Sequence, residues 1–303
     1  MKMPLKNGLI LFVAAAIWGT AFVAQSLGMD YMGPFTFNGL RYFLGALVLV
    51  PAMLVRRSVR VTREGGVSTN RMLTGGFFCG LFLCIASNLQ QFAIISVDVG
   101  KAGFLTAMYI VIVPVLAFFV TGKTSLRLWI SVALASAGLY FLSISGGMRL
   151  ERGDLALVAC AFVFSLHIMC IDRFGDIDGV LLSFMQFVVA GALSMAAALA
   201  RETITPGLLA RGWFPVVYAG VFSCGVSYTF QIIGQKDVDP AIASLILSLE
   251  SVVSVLAGFL ILGQSLSARE LTGCVLMFAA IILVQLPERH SFTCPRPSSG
   301  REQ

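Results

Sequence analysis

The chain has 303 residues; 58% are apolar (AVILMFWYC), 12% are charged, and the net charge is +6. Its 30 glycines raise the apolar-plus-glycine share to about 68%, against about 45–50% in a soluble domain. So little charge cannot cover a water-facing surface, which excludes a cytosolic enzyme, a disordered chain and a secreted disulfide scaffold; the mean hydropathy of +0.90 implies a multi-pass membrane protein.

A helix needs about 20 mostly apolar residues to cross about 30 Å of hydrocarbon. Ten runs fit: 9–27, 35–55, 72–95, 99–121, 126–145, 154–171, 180–200, 213–233, 240–262 and 271–286. The expected fold class is an all-α membrane protein with ten transmembrane helices, residues 1–286 forming one transmembrane domain. The first run follows Lys2 and Lys6 as a signal peptide would, but its apolar stretch is long and holds Trp18 and Gln25. No cleavage site is evident, so the run is read as retained. The fourth run contains Pro114, which removes one backbone hydrogen bond and can kink the helix. Residues 287–303 carry Pro, Ser and charge without periodicity and are read as a disordered cytoplasmic tail.

Loop charge sets the orientation. With the N-terminus inside, 14 Lys and Arg fall in inner segments and 6 in outer loops. Both termini are therefore expected in the cytoplasm, with the chain in the cell (plasma or inner) membrane. Basic residues dispersed in short loops are a topology signal, not a nucleic-acid footprint. Cys79, Cys84, Cys160, Cys170, Cys224 and Cys274 sit in apolar runs as small hydrophobes. No CxxC occurs, so neither zinc nor a redox pair is expected, and no cofactor is implied. The oligomeric state is open.

The chain matches itself at an offset of 140 residues. Segments 80–126 and 220–266 share 13 of 47 positions, among them Gly80/Gly220, Cys84/Cys224, Ser87/Ser227, Gln91/Gln231 and Leu116/Leu256. Composition alone yields roughly 4 or 5 such identities, so the chain carries a duplicated unit. The offset pairs the third run with the eighth and the fourth with the ninth. The unit is then five helices long, covering about 7–145 and 153–286. Five is odd, so the second copy enters the membrane inverted. Inverted repeats are an architecture of secondary transporters, with the solute site near the midplane.

Polar side chains in a bilayer are costly and mark candidate sites. The third run carries Cys84, Ser87, Asn88 and Gln91; the eighth carries Cys224, Ser227, Tyr228 and Gln231. Each set follows i, i+3, i+4, i+7 and forms one stripe. Such a stripe lines a cavity or bonds to neighbouring helices. Glu250 lies ten residues into the ninth run, about 15 Å deep and near the bilayer centre. It is read as a site for a substrate amine or a coupling proton, against a structural hydrogen bond. Arg41 could bind an anionic group or clamp a helix end. His167 is the one histidine within a run, functional or structural. Trp18 and Tyr109 lie near mid-membrane and suit a wall that stacks on a ligand.

An intramembrane enzyme is one alternative, but no HExxH occurs. Gly225-Val226-Ser227 with His167 is too short a motif to carry one. A receptor or channel lacks a ligand domain, a charged ring or an Arg-rich helix. The segment 14–22 (AAAIWGTAF) resembles the opening helix of EamA-type permeases of the drug/metabolite transporter superfamily, and Leu40-Arg41-Tyr42-Phe43 resembles the second. The most specific likenesses are 101–106 (KAGFLT), 108–114 (MYIVIVP) and Leu247-Ser248-Leu249-Glu250. The resemblance spans about residues 9–286. It implies a permease for a small metabolite or drug, often an exporter, with a central cavity. Two positions depart from the family pattern. Ser251 stands where Pro usually follows the glutamate, and Gln264 follows Gly263 where the family often has Glu. A facilitator of nucleotide-sugar-like solutes is the alternative within transport; it calls for several cavity-facing basic residues, and Arg41 alone is available.

Overall fold

The computed structural model describes residues 4–60, 67–122, 124–143, 152–262 and 267–286. The expected tail at 287–303 lies outside the described residues. Among the described residues all regular elements are helices. They are α1 (Leu5–Gly28), α2 (Pro34–Arg60), α3 (Thr69–Ile94), α4 (Val99–Thr106), α5 (Tyr109–Thr121), α6 (Leu126–Ser143), α7 (Arg152–Arg173) and α8 (Gly179–Arg201). Then come α9 (Pro206–Arg211), α10 (Trp213–Tyr218), a π-helical stretch (Ala219–Tyr228), α11 (Thr229–Gln235), α12 (Pro240–Leu247), α13 (Leu249–Leu262) and α14 (Ala268–Gln285).

Eight segments are long and apolar enough to cross a membrane; among them, Val99–Thr121, Trp213–Gln235 and Pro240–Ile261 are each built from more than one helical element. The fifth and tenth runs form α6 and α14, whose apolar cores, Leu126–Phe141 and Leu271–Val284, are shorter. The two lie along each other. The bundle is polar within and apolar without. Asn38, Gln91, His167 and Gln186 are fully buried, whereas Leu47, Phe119, Leu199 and Leu260 face outward. That distribution suits hydrocarbon as the solvent, which leaves each backbone and side-chain polar group to find a partner inside the protein.

Packing is symmetric under exchange of the two halves. α3 lies on α7 and α8; the segment Trp213–Gln235 lies on α1 and α2. α1 lies on α12 and α13; α7, which opens the second half of the chain, lies on α4 and α5. α2 packs on α8, its own counterpart, as α6 packs on α14.

Local chemistry starts and stops the helices. Asp178 accepts from the backbone N–H of Val180 and Leu181 at 3.1 Å each and caps α8. Asp239 caps α12 through Ala241 N–H, with Pro240 in the first turn. α2 borrows its cap: Glu202 accepts from the N–H groups of Phe35 and Thr36 at 2.9 and 2.8 Å. A carboxylate there also meets the positive end of the helix dipole. α5 ends at Gly122, whose φ of +65° is the left-handed cap that glycine adopts freely.

Two spans are broken at matching points. Val99–Thr121 tightens around Met108, where Val111 N–H bonds Met108 O at 3.0 Å; Pro240–Ile261 tightens around Ser248, where Ser251 N–H bonds Ser248 O at 3.1 Å. Both are i→i+3 bonds, and the two sites are offset by the 140 residues of the sequence repeat. Pro240–Ile261 breaks with Ser251, not proline, after Glu250. Ser244, Ser248, Ser251 and Ser254 each donate a hydroxyl to the carbonyl three residues back, 2.7–2.9 Å away, and so supply bonds where the ladder is disturbed. In Val99–Thr121 the break precedes Pro114 by six residues.

Close packing at the second break depends on Gly19. A Cβ there would sit 2.5 Å from Val253 Cβ and 2.7 Å from the Glu250 carbonyl oxygen. We expect Gly19→Leu to lower stability by about 1–3 kcal/mol, read as a lower thermal midpoint in detergent. Gly207→Ala, with nothing within 4 Å, should leave that midpoint unchanged. Equal midpoints for Gly19→Leu and wild type would contradict this close approach.

Candidate functional site

A cavity of about 30 Å³ lies midway along the bundle, room for one or two water molecules. α1 contributes Trp18, Phe22 and Gln25, α2 Arg41, α3 Gln90, and α4 and α5 Thr106 and Tyr109. From the second half come Phe164, Ile168, Ser223, Tyr228, Gln231, Leu247 and Glu250. Both helix breaks border it: Tyr109 opens α5 and Glu250 lies in the first turn of α13. The i→i+3 bonds take up N–H groups at each break, and the positive end of each half-helix dipole points into the protein.

One guanidinium and one carboxyl occupy this wall. Tyr109 donates its hydroxyl to Glu250 Oε1 at 2.9 Å. Arg41 is 1% exposed. Its Nη1 donates to Gln25 Oε1 at 3.1 Å and its Nη2 to the Tyr42 hydroxyl at 3.2 Å. Its guanidinium also lies 4.9 Å from the Tyr42 ring centre and 5.8 Å from that of Phe37. Nε has no hydrogen-bond partner, and among the described residues no carboxylate lies within ion-pair distance. Aromatic rings close the chamber. Trp18 meets Tyr228 edge-on at 4.7 Å and donates its indole N–H to the Ser223 carbonyl of the π-helical stretch at 3.2 Å.

Six of the residues singled out in the sequence line the cavity: Trp18, Arg41, Tyr109, Tyr228, Gln231 and Glu250. Asn88, Gln91 and His167 do not. Asn88 accepts from Asn38 Nδ2 at 2.9 Å and donates to Ser194 Oγ at 3.0 Å, tying α3 to α2 and α8. Gln91 donates to the Gln25 carbonyl at 3.0 Å, directly behind the arginine's partner. His167 Nε2 pairs with Gln186 Oε1 at 2.9 Å. Gln25, Gln90, Thr106 and Ser223 were not singled out. Gln25 and Gln90 are amides in apolar runs, a signal present in the sequence, but Gln90 falls outside the i, i+3, i+4, i+7 stripe of α3. Ser223 replaces Ser227 because the wider i→i+5 turn of a π-helix shifts the face presented.

The two halves also meet at opposite ends of the bundle. At one end Arg71 Nε and Nη2 bond both Asp176 oxygens at 2.6 and 2.7 Å, and Nη2 reaches the Arg173 carbonyl at 2.9 Å. These residues border a second cavity of about 390 Å³ that also includes Asp172, Gln235 and Lys236. At the other end Lys101 Nζ lies 2.7 and 2.8 Å from the oxygens of buried Asp154. Hydrogen bonds from Arg71 hold the Asp176 carboxyl below the usual carboxylate range. A depressed carboxyl contributes stability that is complete above its unfolded value of about pH 4 and is lost as pH falls through its folded value. The pair therefore stays ionised between about pH 5 and 8, and no pH response in that range originates there. Among the described residues no three His, Cys, Asp or Glu side chains gather as a metal site.

The sequence profile of the EamA-like transporter family matches the chain twice, at residues 6–144 and 151–286. A protein of Archaeoglobus fulgidus described as an uncharacterized transporter is 26% identical over 282 residues, 91% of this chain and 84% of that one. The uncharacterized inner membrane transporter YedA of Escherichia coli K12 is 23% identical, over 91% of this chain and 89% of its own. One solved crystal structure shares the fold, with a TM-score of 0.75 at 22% identity over 92% of this chain and 96% of that one.

Cavity wall and buried network separate by accessibility. In a background with the native cysteines replaced, we expect a cysteine at position 231 to react with a membrane-impermeant methanethiosulfonate and cysteines at 88 and 91 to be protected. Asn88→Ala should also cost about 1–3 kcal/mol of stability, because it strands buried partners. Labelling at 88 as fast as at 231 would place the network in the wall.

Proposed function

The chain belongs to the EamA-like transporter family, and on that premise we propose a secondary transporter that exports a small metabolite or drug across the cell membrane by alternating access. The observation that carries this reading is the central cavity. It holds Arg41 and Glu250 where two broken helices meet, one from each half. An unpaired guanidinium in a membrane interior is stabilised by an anionic group, so the solute carries one to Arg41. Trp18 and Tyr228 stack on its apolar part, and Gln231, whose buried Oε1 has no partner, accepts from it. Asn88, Gln91 and His167 hold this wall in place from behind. The cavity of about 30 Å³ has room for water but not for a metabolite, so loading a solute requires the walls to part.

Ten crossings in two inverted five-helix halves, with both termini in the cytoplasm, fit this mechanism. The repeat at 140 residues, the twice-matching family profile, the exchange-symmetric packing and the paired breaks support that architecture. Two inverted halves can trade conformations, which turns an outward-open state into an inward-open one. Glu250 is the candidate coupling group. It would take up a proton when the cavity faces one side and release it to the other.

Metabolite profiling of cells with and without the protein identifies the solute, and flux through proteoliposomes tests it. Glu250→Gln keeps shape and hydrogen bonding but removes titration. We expect this variant to reach the membrane, to keep solute exchange, and to lose about ten-fold or more of pH-gradient-driven transport. A wild-type response to an imposed gradient would leave Glu250 a structural residue.

A further inference from the structure

The spacing of cysteines in the sequence offers no redox pair, yet the fold makes one. Cys79 of α3 and Cys170 of α7, 91 residues apart, place their sulfurs 3.3 Å from each other. Both are free thiols. A disulfide bond is about 2.05 Å long, so the sulfurs need to close by only a little over 1 Å. The backbones approach because α3 is small on this face: a Cβ on Gly75 would meet Phe174 and Ile177 within 3.0 Å. Cys79 is fully buried and Cys170 half-buried, in an apolar cluster with Met72, Phe174 and Ile177.

The seam is the one closed by Arg71 and Asp176. Cys79 lies two turns along α3 from Arg71, and Cys170 lies six residues before Asp176. An ion pair there is exposed, weak and reversible. A covalent bond in the same seam is neither weak nor fast to open.

We propose that Cys79 and Cys170 form a reversible disulfide under peroxide, which clamps α3 to α7 and holds this end of the bundle shut. Cys170, the more exposed thiol, reacts first: its sulfur takes one oxygen from hydrogen peroxide, giving a sulfenic acid and water. The Cys79 sulfur then attacks that sulfur. The S–O bond breaks, hydroxide leaves, and it takes the Cys79 proton as a second water. Two thiols and one peroxide become one disulfide and two waters, and a dithiol reverses the bond by exchange. The clamp rests on the alternating-access reading only for its effect on transport, since this seam must part when that end opens.

The full chain in lipid nanodiscs, treated with hydrogen peroxide, tests this. Trypsin leaves Cys79 in peptide 72–101 and Cys170 in peptide 153–173, so the bond appears as a linked peptide that dithiothreitol separates. Fragment masses must place it at 79 and 170, not at Cys84 or Cys160, which share those peptides. Cys79→Ser, Cys170→Ser and Cys170→Ala should lose the link, whereas Cys84→Ser and Cys160→Ser keep it. Amide hydrogen exchange at 171–178 should slow about ten-fold on oxidation and recover on reduction, because local opening is suppressed. No 79–170 link, with the thiols going instead to sulfinic acid, overturns the pair. A link with unchanged exchange overturns the clamp. Absence of solute flux in the reduced protein would count against the transport reading alone, since the linked peptide is read by mass.

Discussion

Inside hydrocarbon no water is at hand, so each N–H, C=O and polar side chain must be satisfied by the protein itself. The rest of this structure depends on that constraint. It turns the bundle polar-side inward and puts apolar residues such as Phe119 and Leu260 outside. It explains why Asn38, Asn88 and Ser194 form a network and why His167 faces Gln186. It also explains the serines around residue 248. Where the backbone ladder tightens, four hydroxyls return bonds to nearby carbonyls.

The same constraint makes the exceptions informative. Arg41 is buried with an amide, a phenol and two ring faces, and its Nε is unpartnered. Glu250 has the Tyr109 hydroxyl. Buried polar groups left incompletely satisfied are retained against a stability cost; Arg41 Nε and Gln231 Oε1 are two such atoms, and both lie in one cavity with Glu250. The breaks at Met108 and Ser248 put half-helix starts beside them. The site is therefore a property of both halves together, which neither supplies alone. Contacts at the two ends, Arg71–Asp176 and Lys101–Asp154, bring the halves together above and below it.

Much of this was legible in the chain itself. Helix positions followed from apolar runs, because length and hydropathy are local properties. The 140-residue offset followed from identities such as Gln91/Gln231, and the two breaks fall at that offset, although the sequence marks a kink only at Pro114, six residues past the first of them. Six cavity residues were visible as polar or aromatic groups out of place in a membrane. The rest needed three dimensions. Gln91 and Gln231 look equivalent in the repeat, yet one bonds a carbonyl behind the wall and the other lines it. The π-helical stretch at Ala219–Tyr228 has no composition signal and shifts which serine faces inward. The Cys79–Cys170 contact joins helices from different halves, so no local spacing could announce it. The apolar cores of α6 and α14 are shorter than their runs, because the runs extend past Phe141 and Val284 into polar residues, Ser143 and Gln285.

The central claim is that one cavity serves both sides of the membrane in turn. Spin labels at exposed positions on the two ends measure this directly, one pair at Asn70 and Lys236 and the other at Ile95 and Arg152. Pulsed dipolar distances in lipid, with the two pairs read on the same preparations across an imposed pH range, report which end is open. The account predicts opposed shifts: as one pair lengthens, the other shortens, with a population in which both are short. Both pairs lengthening together would describe a pore, and distances that never change would describe a rigid bundle; either result contradicts alternating access around Arg41 and Glu250.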